Sequence, residues 1–209
     1  MTQTAKFWDK HAEKYAASPI KDQKSYEYTL ERTRSYLGPD DNVVEIGCGT
    51  GATALLLAPG VRQITGTDIS PKMIEIANQR ARDGGNTNAS FEVRTAAQAM
   101  EDARKADAVL GFNLFHLTED FEALLASLHQ NLSPGALFIS KTPCLSEPSI
   151  GFKRFIFRGL IPLMRLVGLA PYVRRFSFGE LEGLITDAGF EIIETSSFPA
   201  MSRYIVARR

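Results

Sequence analysis

From Asp41 onward the chain alternates short β-branched runs with segments whose apolar residues recur three and four positions apart. Val43–Gly47 reads as a buried strand, and Ala52–Ala58 as a helix stopped by Pro59-Gly60. "RQITGTDIS" gives a second strand. "SPKMIEIANQRA" follows as a helix, with Ser70 as N-cap and Pro71 at the first helical position, where its missing N–H costs nothing. Met73, Ile74 and Ala77 fall on one side of that helix. "GGNTN" breaks the chain, "SFEVRT" and "ADAVLGFN" read as third and fourth strands, and a helix runs from about Glu119 to Asn131. After the turn "SPG", "ALFISKT" is a fifth strand. Strand and helix in this rhythm predict a parallel sheet with right-handed crossovers and helices on both faces.

The flanks depart from that rhythm. Ahead of the sheet, "TAKFWDKHAEKYA" and "DQKSYEYTLERTRSYL" read as two helices. Beyond Pro143 lies an insertion-like region, then the helix "FSFGELEGLITDAGF" ended by Gly189, and a terminal antiparallel pair, "FEIIETSS" with "SRYIVARR". The expectation is one domain, divided into an N-terminal helical cap (1–38), a core (39–142), a basic amphipathic insertion or lid (143–176), and a closing helix with hairpin (177–209).

Within the insertion, Phe152, Phe155, Ile156, Leu160, Leu163, Met164 and Val167 recur at helical spacing. Arg154, Arg158 and Arg165 share the opposite side, and Pro162 is expected to kink the element. The stretch 149–179 holds six basic residues and no acid. Three readings stand open: an amphipathic pair packed on the core, a lid over a pocket, or a weak contact of residues 150–175 with an anionic membrane surface.

Composition narrows the class. The 209 residues carry 24 Lys plus Arg against 24 Asp plus Glu, so no global charge favours nucleic acid. The first residues lack an apolar signal core, and no run approaches the roughly 18 apolar residues of a membrane span. Two cysteines, Cys48 and Cys144, are too few for a disulfide framework, which fits a reducing, cytoplasmic setting. His11, His116 and His129 stand apart without a Cys or His at ligand spacing, so no metal site is expected.

The chemistry concentrates in "VVEIGCGTGATALLL". Gly47, Gly49 and Gly51 leave no side chain between backbone and a ligand at the first strand-to-helix turn. Asp68 ends the second strand about 20 residues on, where an acid can accept from ribose hydroxyls. Two nucleosides compete for the loop. NAD would set a pyrophosphate near Glu45, an awkward neighbour. S-adenosylmethionine (SAM) has no phosphate and carries an ammonium, for which Glu45 is an asset. A carboxylate merely capping the loop is the plain alternative.

"VVEIGCGTG" with "GTDISPKMIEIA" resembles the first two motifs of class I SAM-dependent methyltransferases, in their small-molecule branch. "ADAVLGFNLFHL" and "LSPGALFISKT" resemble the family's fourth- and fifth-strand regions. The resemblance implies a Rossmann-like α/β fold, with a mostly parallel seven-stranded sheet closed by an antiparallel hairpin. It implies SAM as cofactor and S-adenosylhomocysteine (SAH) as product; the bulky apolar insertion favours a small, partly hydrophobic organic acceptor, and with the basic residues confined to one segment no nucleic-acid partner is expected. Glu45, Gly47, Gly49 and Gly51 would line the methionine side and Asp68 would hold the ribose. Ile69 would pack on the adenine, Asn113 would lie near the methionine moiety, and Tyr15, in "FWDKHAEKY", would cover the cofactor. Cys48, Met73, Ala96 and Ala97 join the implied cofactor neighbourhood. Where many relatives carry an acid for the adenine amino group this chain has Ala96 and Ala97, leaving backbone, Thr95 or Gln98 to serve. His116, just past the fourth strand, is the one nameable general base, with a packed histidine as the alternative. An NAD-type oxidoreductase and a non-catalytic SAM-binding protein remain as other functions.

Overall fold

The computed structural model describes residues 2–166 and 170–209. Its centre is a seven-stranded sheet in the order β3-β2-β1-β4-β5-β7-β6. Strands β1 (Asn42–Ile46), β2 (Gln63–Asp68), β3 (Ala89–Val93), β4 (Ala108–Phe112) and β5 (Leu137–Pro143) run parallel. β7 (Ser202–Arg208) enters antiparallel between β5 and β6 (Glu191–Ser196), as the terminal pair predicts.

Strand order reverses between β1 and β4. That reversal opens a crevice at their carboxyl ends, where β1 leads into the glycine loop and β4 into Asn113.

Alternation along the strands sends side chains to two apolar layers. Phe138, Val109 and Ile205 join one layer with Phe115, Phe121 and Leu125, while Ile139, Leu110 and Tyr204 join the other with Leu30 and Ile64. β5 is therefore buried on both faces, and its one lysine, Lys141, is buried with it.

The predicted helices form, with small shifts in their ends. α1 (Gln3–Ala17) starts at Thr2, whose hydroxyl accepts from Ala5 N–H. α2 (Gln23–Arg34) ends before Tyr36 and Leu37, which the sequence pattern places in the helix. α3 (Ala52–Leu57) passes into a short 3₁₀ turn through Pro59. In α4 (Pro71–Asp83) the Ser70 hydroxyl accepts from Met73 N–H, and Met73, Ile74 and Ala77 are buried, as expected. α6 (Phe121–Asn131) and α8 (Phe178–Asp187) complete the layers. One helix escaped the sequence reading: α5 (Ala96–Glu101), a six-residue element whose first turn is capped by Thr95 with Gln98.

The insertion differs most from expectation. Among its described residues it holds a short 3₁₀ turn (Pro148–Ile150) and one α-helix, α7 (Lys153–Leu166), running through Pro162, where an amphipathic pair is one reading of the sequence. Its apolar stripe is not packed on the core. Phe152, Phe155, Ile156, Leu160, Leu163 and Leu166 are all exposed, Phe152 at 75 % and Leu166 at 84 %, and only Phe157, Ile161 and Met164 turn partly inward. The helical period fixed which residues share a stripe but not what that stripe meets. Val167, counted in the stripe from sequence, lies outside the described residues.

Candidate functional site

The crevice at the β1/β4 reversal holds two cavities with a shared wall. The smaller, about 170 Å³, is lined by Trp8 of α1, Asp68 and Ile69 after β2, Met73 of α4, and Ala96. The larger, about 730 Å³, is lined by Glu45, Cys48, Thr53, Arg80, Tyr26 and Lys141, among others. Tyr15, Gly47, Gly49, Phe112 and Asn113 border both. The wall thus combines the glycine loop, the end of β4 and one aromatic ring from α1.

Local geometry explains why the wall can be thin. Gly47 has φ +68°, and a Cβ there would lie 2.7 Å from Leu114 Cδ1, so any side chain clashes and strains the turn together. Gly51, with φ +75°, caps α3, and a Cβ would meet the Phe91 ring at 2.7 Å. It serves loop packing and borders neither cavity. Asn113 is the one non-glycine residue at positive φ (+55°) among the described residues, a conformation asparagine tolerates best. Its N–H donates to the Lys141 carbonyl at 2.7 Å, which fixes the backbone where both cavities meet.

The loop is held by carboxylates from outside it. Asp68 accepts from Gly49 N–H (3.0 Å) with one oxygen and from Ser70 N–H (2.9 Å) with the other. Burial raises its carboxyl above the ordinary range, against those N–H donors, and its spare lone pairs remain for hydroxyl donors in the smaller cavity. Asp9 of α1 accepts from Ser70 Oγ (2.5 Å) and Lys72 N–H (3.1 Å) at the start of α4. At the other end of α1, Arg80 donates to the Ala16 carbonyl and to Thr50 Oγ1. These contacts seat α1, and with it Trp8 and Tyr15, over the crevice.

Glu45 has the least complete environment of these groups. It is 3 % exposed, and its Oε2 has no hydrogen-bond partner among the described residues. Burial pushes its carboxyl up to about 8, the Ala54 N–H opposing and the Asp68 charge adding. A buried carboxylate with a free oxygen, facing a cavity, fits a cation that donates hydrogen bonds. An ammonium meets both needs. A diphosphate meets neither, since it would add negative charge beside an acid already destabilised by burial.

Of the residues expected at the cofactor, Tyr15, Gly47, Gly49, Asp68, Ile69, Met73, Ala96 and Asn113 border the smaller cavity, and Glu45 and Cys48 the larger. Gly51 and Ala97 border neither. Burial raises the Cys48 thiol well above its usual value, so it stays a neutral wall atom. Gln98 Oε1 is taken by Thr95 N–H and Oγ1, so both side chains cap α5 and neither lines the smaller cavity. His116 sits in a 3₁₀ turn (Phe115–Leu117) and lines neither cavity. Its Nδ1 is buried without a hydrogen-bond partner among the described residues, and burial pulls its pKa down to about 4. The geometry gives the general-base role no support.

Sequence reasoning missed Trp8, Tyr26, Arg80 and Lys141 as lining residues. The sequence analysis gives Lys141 no role, because it stands inside the fifth-strand run "ALFISKT" with nothing in that run to single it out.

Comparison with known proteins agrees with this geometry. A family model for a methyltransferase domain matches residues 43–135, which contain the glycine loop, Asp68 and Asn113. The ubiquinone biosynthesis O-methyltransferase of Methylobacterium nodulans is 25 % identical over 171 residues, 80 % of this chain and 68 % of that protein. An uncharacterized RNA methyltransferase of Bacillus cereus is 34 % identical over 82 residues, 39 % of this chain but 18 % of that protein. This chain spans less than half the length of several curated relatives that it matches. Among solved structures, the geranyl diphosphate C-methyltransferase of Streptomyces coelicolor, in complex with Mg²⁺, geranyl diphosphate and SAH, superposes with a TM-score of 0.70 at 17 % identity. That match covers 88 % of this chain and 79 % of the other, and shows the shared fold. The glycine loop and most of the β1/β4 crevice thus lie within the stretch that matches a methyltransferase domain, on a fold shared with solved methyltransferases.

Proposed function

We propose that this protein transfers a methyl group from SAM to a small, partly hydrophobic organic acceptor, with O-methylation the preferred chemistry. The observation that carries the cofactor half is the orphaned Oε2 of Glu45, a buried acid awaiting a cationic donor. In this reading Asp68 accepts from the ribose hydroxyls, Ile69 and Met73 form the apolar walls of the nucleoside cavity, and Glu45 receives the amino-acid ammonium across the glycine loop. Bound SAM supplies a methyl group already activated on a positively charged sulfur. The protein's task is then to orient the acceptor, exclude water and manage the acceptor's charge. Tyr15, Phe112 and Asn113 suit the first two roles because they border both cavities. The larger cavity has room for an acceptor of metabolite size.

Calorimetric titration with SAH and with NAD tests the cofactor half. SAH binding in the micromolar range with no NAD binding is expected; the reverse result contradicts the proposal, and a screen of small phenols, carboxylic acids and RNA then decides the acceptor class.

The exposed stripe of α7 supports a second reading, that the protein rests on an anionic membrane surface. A large contiguous apolar face is unusual on a solvated protein, and Arg154, Arg158 and Arg165 flank it with positive charge. Among the described residues no helix is long and apolar enough to cross a membrane, so contact would be peripheral. Co-sedimentation with phosphatidylglycerol vesicles at low salt is expected, weakened in Phe155→Ser/Leu163→Ser. No retention at low salt rules it out.

A further inference from the structure

The larger cavity has a second buried charge, and it is positive. Lys141, near the end of β5, is 8 % exposed and lines the cavity that Glu45 also lines. Its ammonium points to α2, donating to Ser25 Oγ (2.9 Å), Thr29 Oγ1 (2.9 Å) and, more weakly, the Ser25 carbonyl (3.4 Å). Ser25 and Thr29 are one helical turn apart, so α2 presents both oxygens on one side. All three acceptors are neutral. Among the described residues Lys141 has no ion-pair partner, whereas Arg32 has Glu194 and Arg203 has Glu182.

A lysine that only fastened α2 to the sheet would work better as a neutral group. Burying an ammonium among hydroxyls costs solvation that neutral oxygens do not fully return. Burial accordingly lowers its pKa, with Asp22 opposing. A negative group arriving in the cavity would offset that cost. The cavity's other charges explain where such a group would sit. Glu45 marks one end for an ammonium, and Lys141, two strands away on the same face of the sheet, marks another.

We propose that Lys141 receives an anionic oxygen of the methyl acceptor, so that the acceptor class is one with an acidic O–H, a phenol or a carboxylic acid. This rests on the methyltransferase reading above and extends it to the acceptor. The acceptor gives up its proton to solvent on entering, because the oxyanion is stabilised beside Lys141. As an oxygen lone pair forms the O–CH₃ bond, the S–CH₃ bond breaks and its electron pair stays on sulfur. The product oxygen is neutral and loses its attraction for the ammonium, which favours release.

The test uses 4-nitrophenol and its methyl ether 4-nitroanisole as probes, with the full chain saturated by SAH. Bound 4-nitrophenol is expected to ionise at lower pH than the free phenol, and to bind at least ~10-fold more tightly than the ether, about one pKa unit of preference. Lys141→Met should erase both effects, and Lys141→Arg should keep most of the preference. Ser25→Ala/Thr29→Val, which removes the neutral partners and leaves the cation, should keep it too. Equal binding of phenol and ether, binding of neither, or a preference surviving in Lys141→Met overturns the proposal. If Lys141→Met fails to fold, the comparison of phenol with ether in the unaltered protein and in Lys141→Arg still decides. SAH titration alone separates the two levels: absent SAH binding defeats the methyltransferase reading, and SAH binding without a phenolate preference defeats only this one.

Discussion

Glu45 and Lys141 are both buried, both ionisable, and both border one cavity, yet their surroundings are unequal. Among the described residues Glu45 keeps an oxygen with no hydrogen bond, whereas the ammonium of Lys141 is surrounded by oxygen acceptors and lacks only a counter-charge. The difference is informative. An orphaned lone pair specifies a donor at one point, hence a defined ligand group. A cation satisfied by hydroxyls specifies only the sign of what is missing. In the proposed reading, the cofactor end is therefore built for one molecule, while the acceptor end admits a class of them.

Breaking the acid end should have the larger effect. Glu45→Gln removes a charge-assisted hydrogen bond worth roughly 1.5–3 kcal/mol, so SAH affinity should fall about 10- to 100-fold by calorimetry. A change of less than about threefold would show that Glu45 does not meet the ligand. The same substitution sharpens the contrast through stability. The folded carboxyl is raised to about 8, above its ordinary value near 4.5, so its favourable contribution is complete below that ordinary value and is lost as pH rises toward and through 8. Glu45→Gln carries no such loss. Without ligand, its melting temperature relative to the unaltered protein should rise between pH 5 and pH 9 by at least ~2 °C, the shift about 1 kcal/mol produces at this size. A difference independent of pH would mean that the carboxyl is not strained by burial.

How much of this was readable beforehand follows from local physics. Four of the five parallel strands were legible because apolar runs ended at or shortly before Gly47, Pro71, Asn113 and Pro143, and the Ser70-Pro71 start of α4 because its cap and first position each have a distinct chemical signature. The glycine loop with Glu45 and Asp68 was legible as a turn beside the crevice for the same reason: glycines and acids carry their meaning at fixed spacing from strand ends. Lys141 was not. β5 has neighbours on both sides and layers on both faces, so alternation does not separate inner from outer positions, and a lysine in such a strand looks like a surface residue. Trp8 escaped because it reaches the crevice only through the seating of α1 on α4 by Asp9 and Arg80, contacts some 60 residues apart in sequence.

α7 and α4 give the same lesson at the level of helices. Both have an amphipathic pattern, but α4 buries Met73, Ile74 and Ala77 against the sheet and α7 leaves its stripe outside. Periodicity defines a face, and tertiary contacts decide its partner.

In the proposed reading, Glu45 must ionise when the ligand's ammonium arrives. Calorimetric titration of SAH at pH 7, in two buffers of different ionisation enthalpy, measures the protons exchanged on binding. A carboxyl held near 8 without ligand is largely protonated at pH 7, so its capture of an ammonium should release a substantial fraction of one proton, falling toward zero at pH 9 and absent in Glu45→Gln. Binding with no proton released at pH 7, or with the same release in Glu45→Gln, would contradict it.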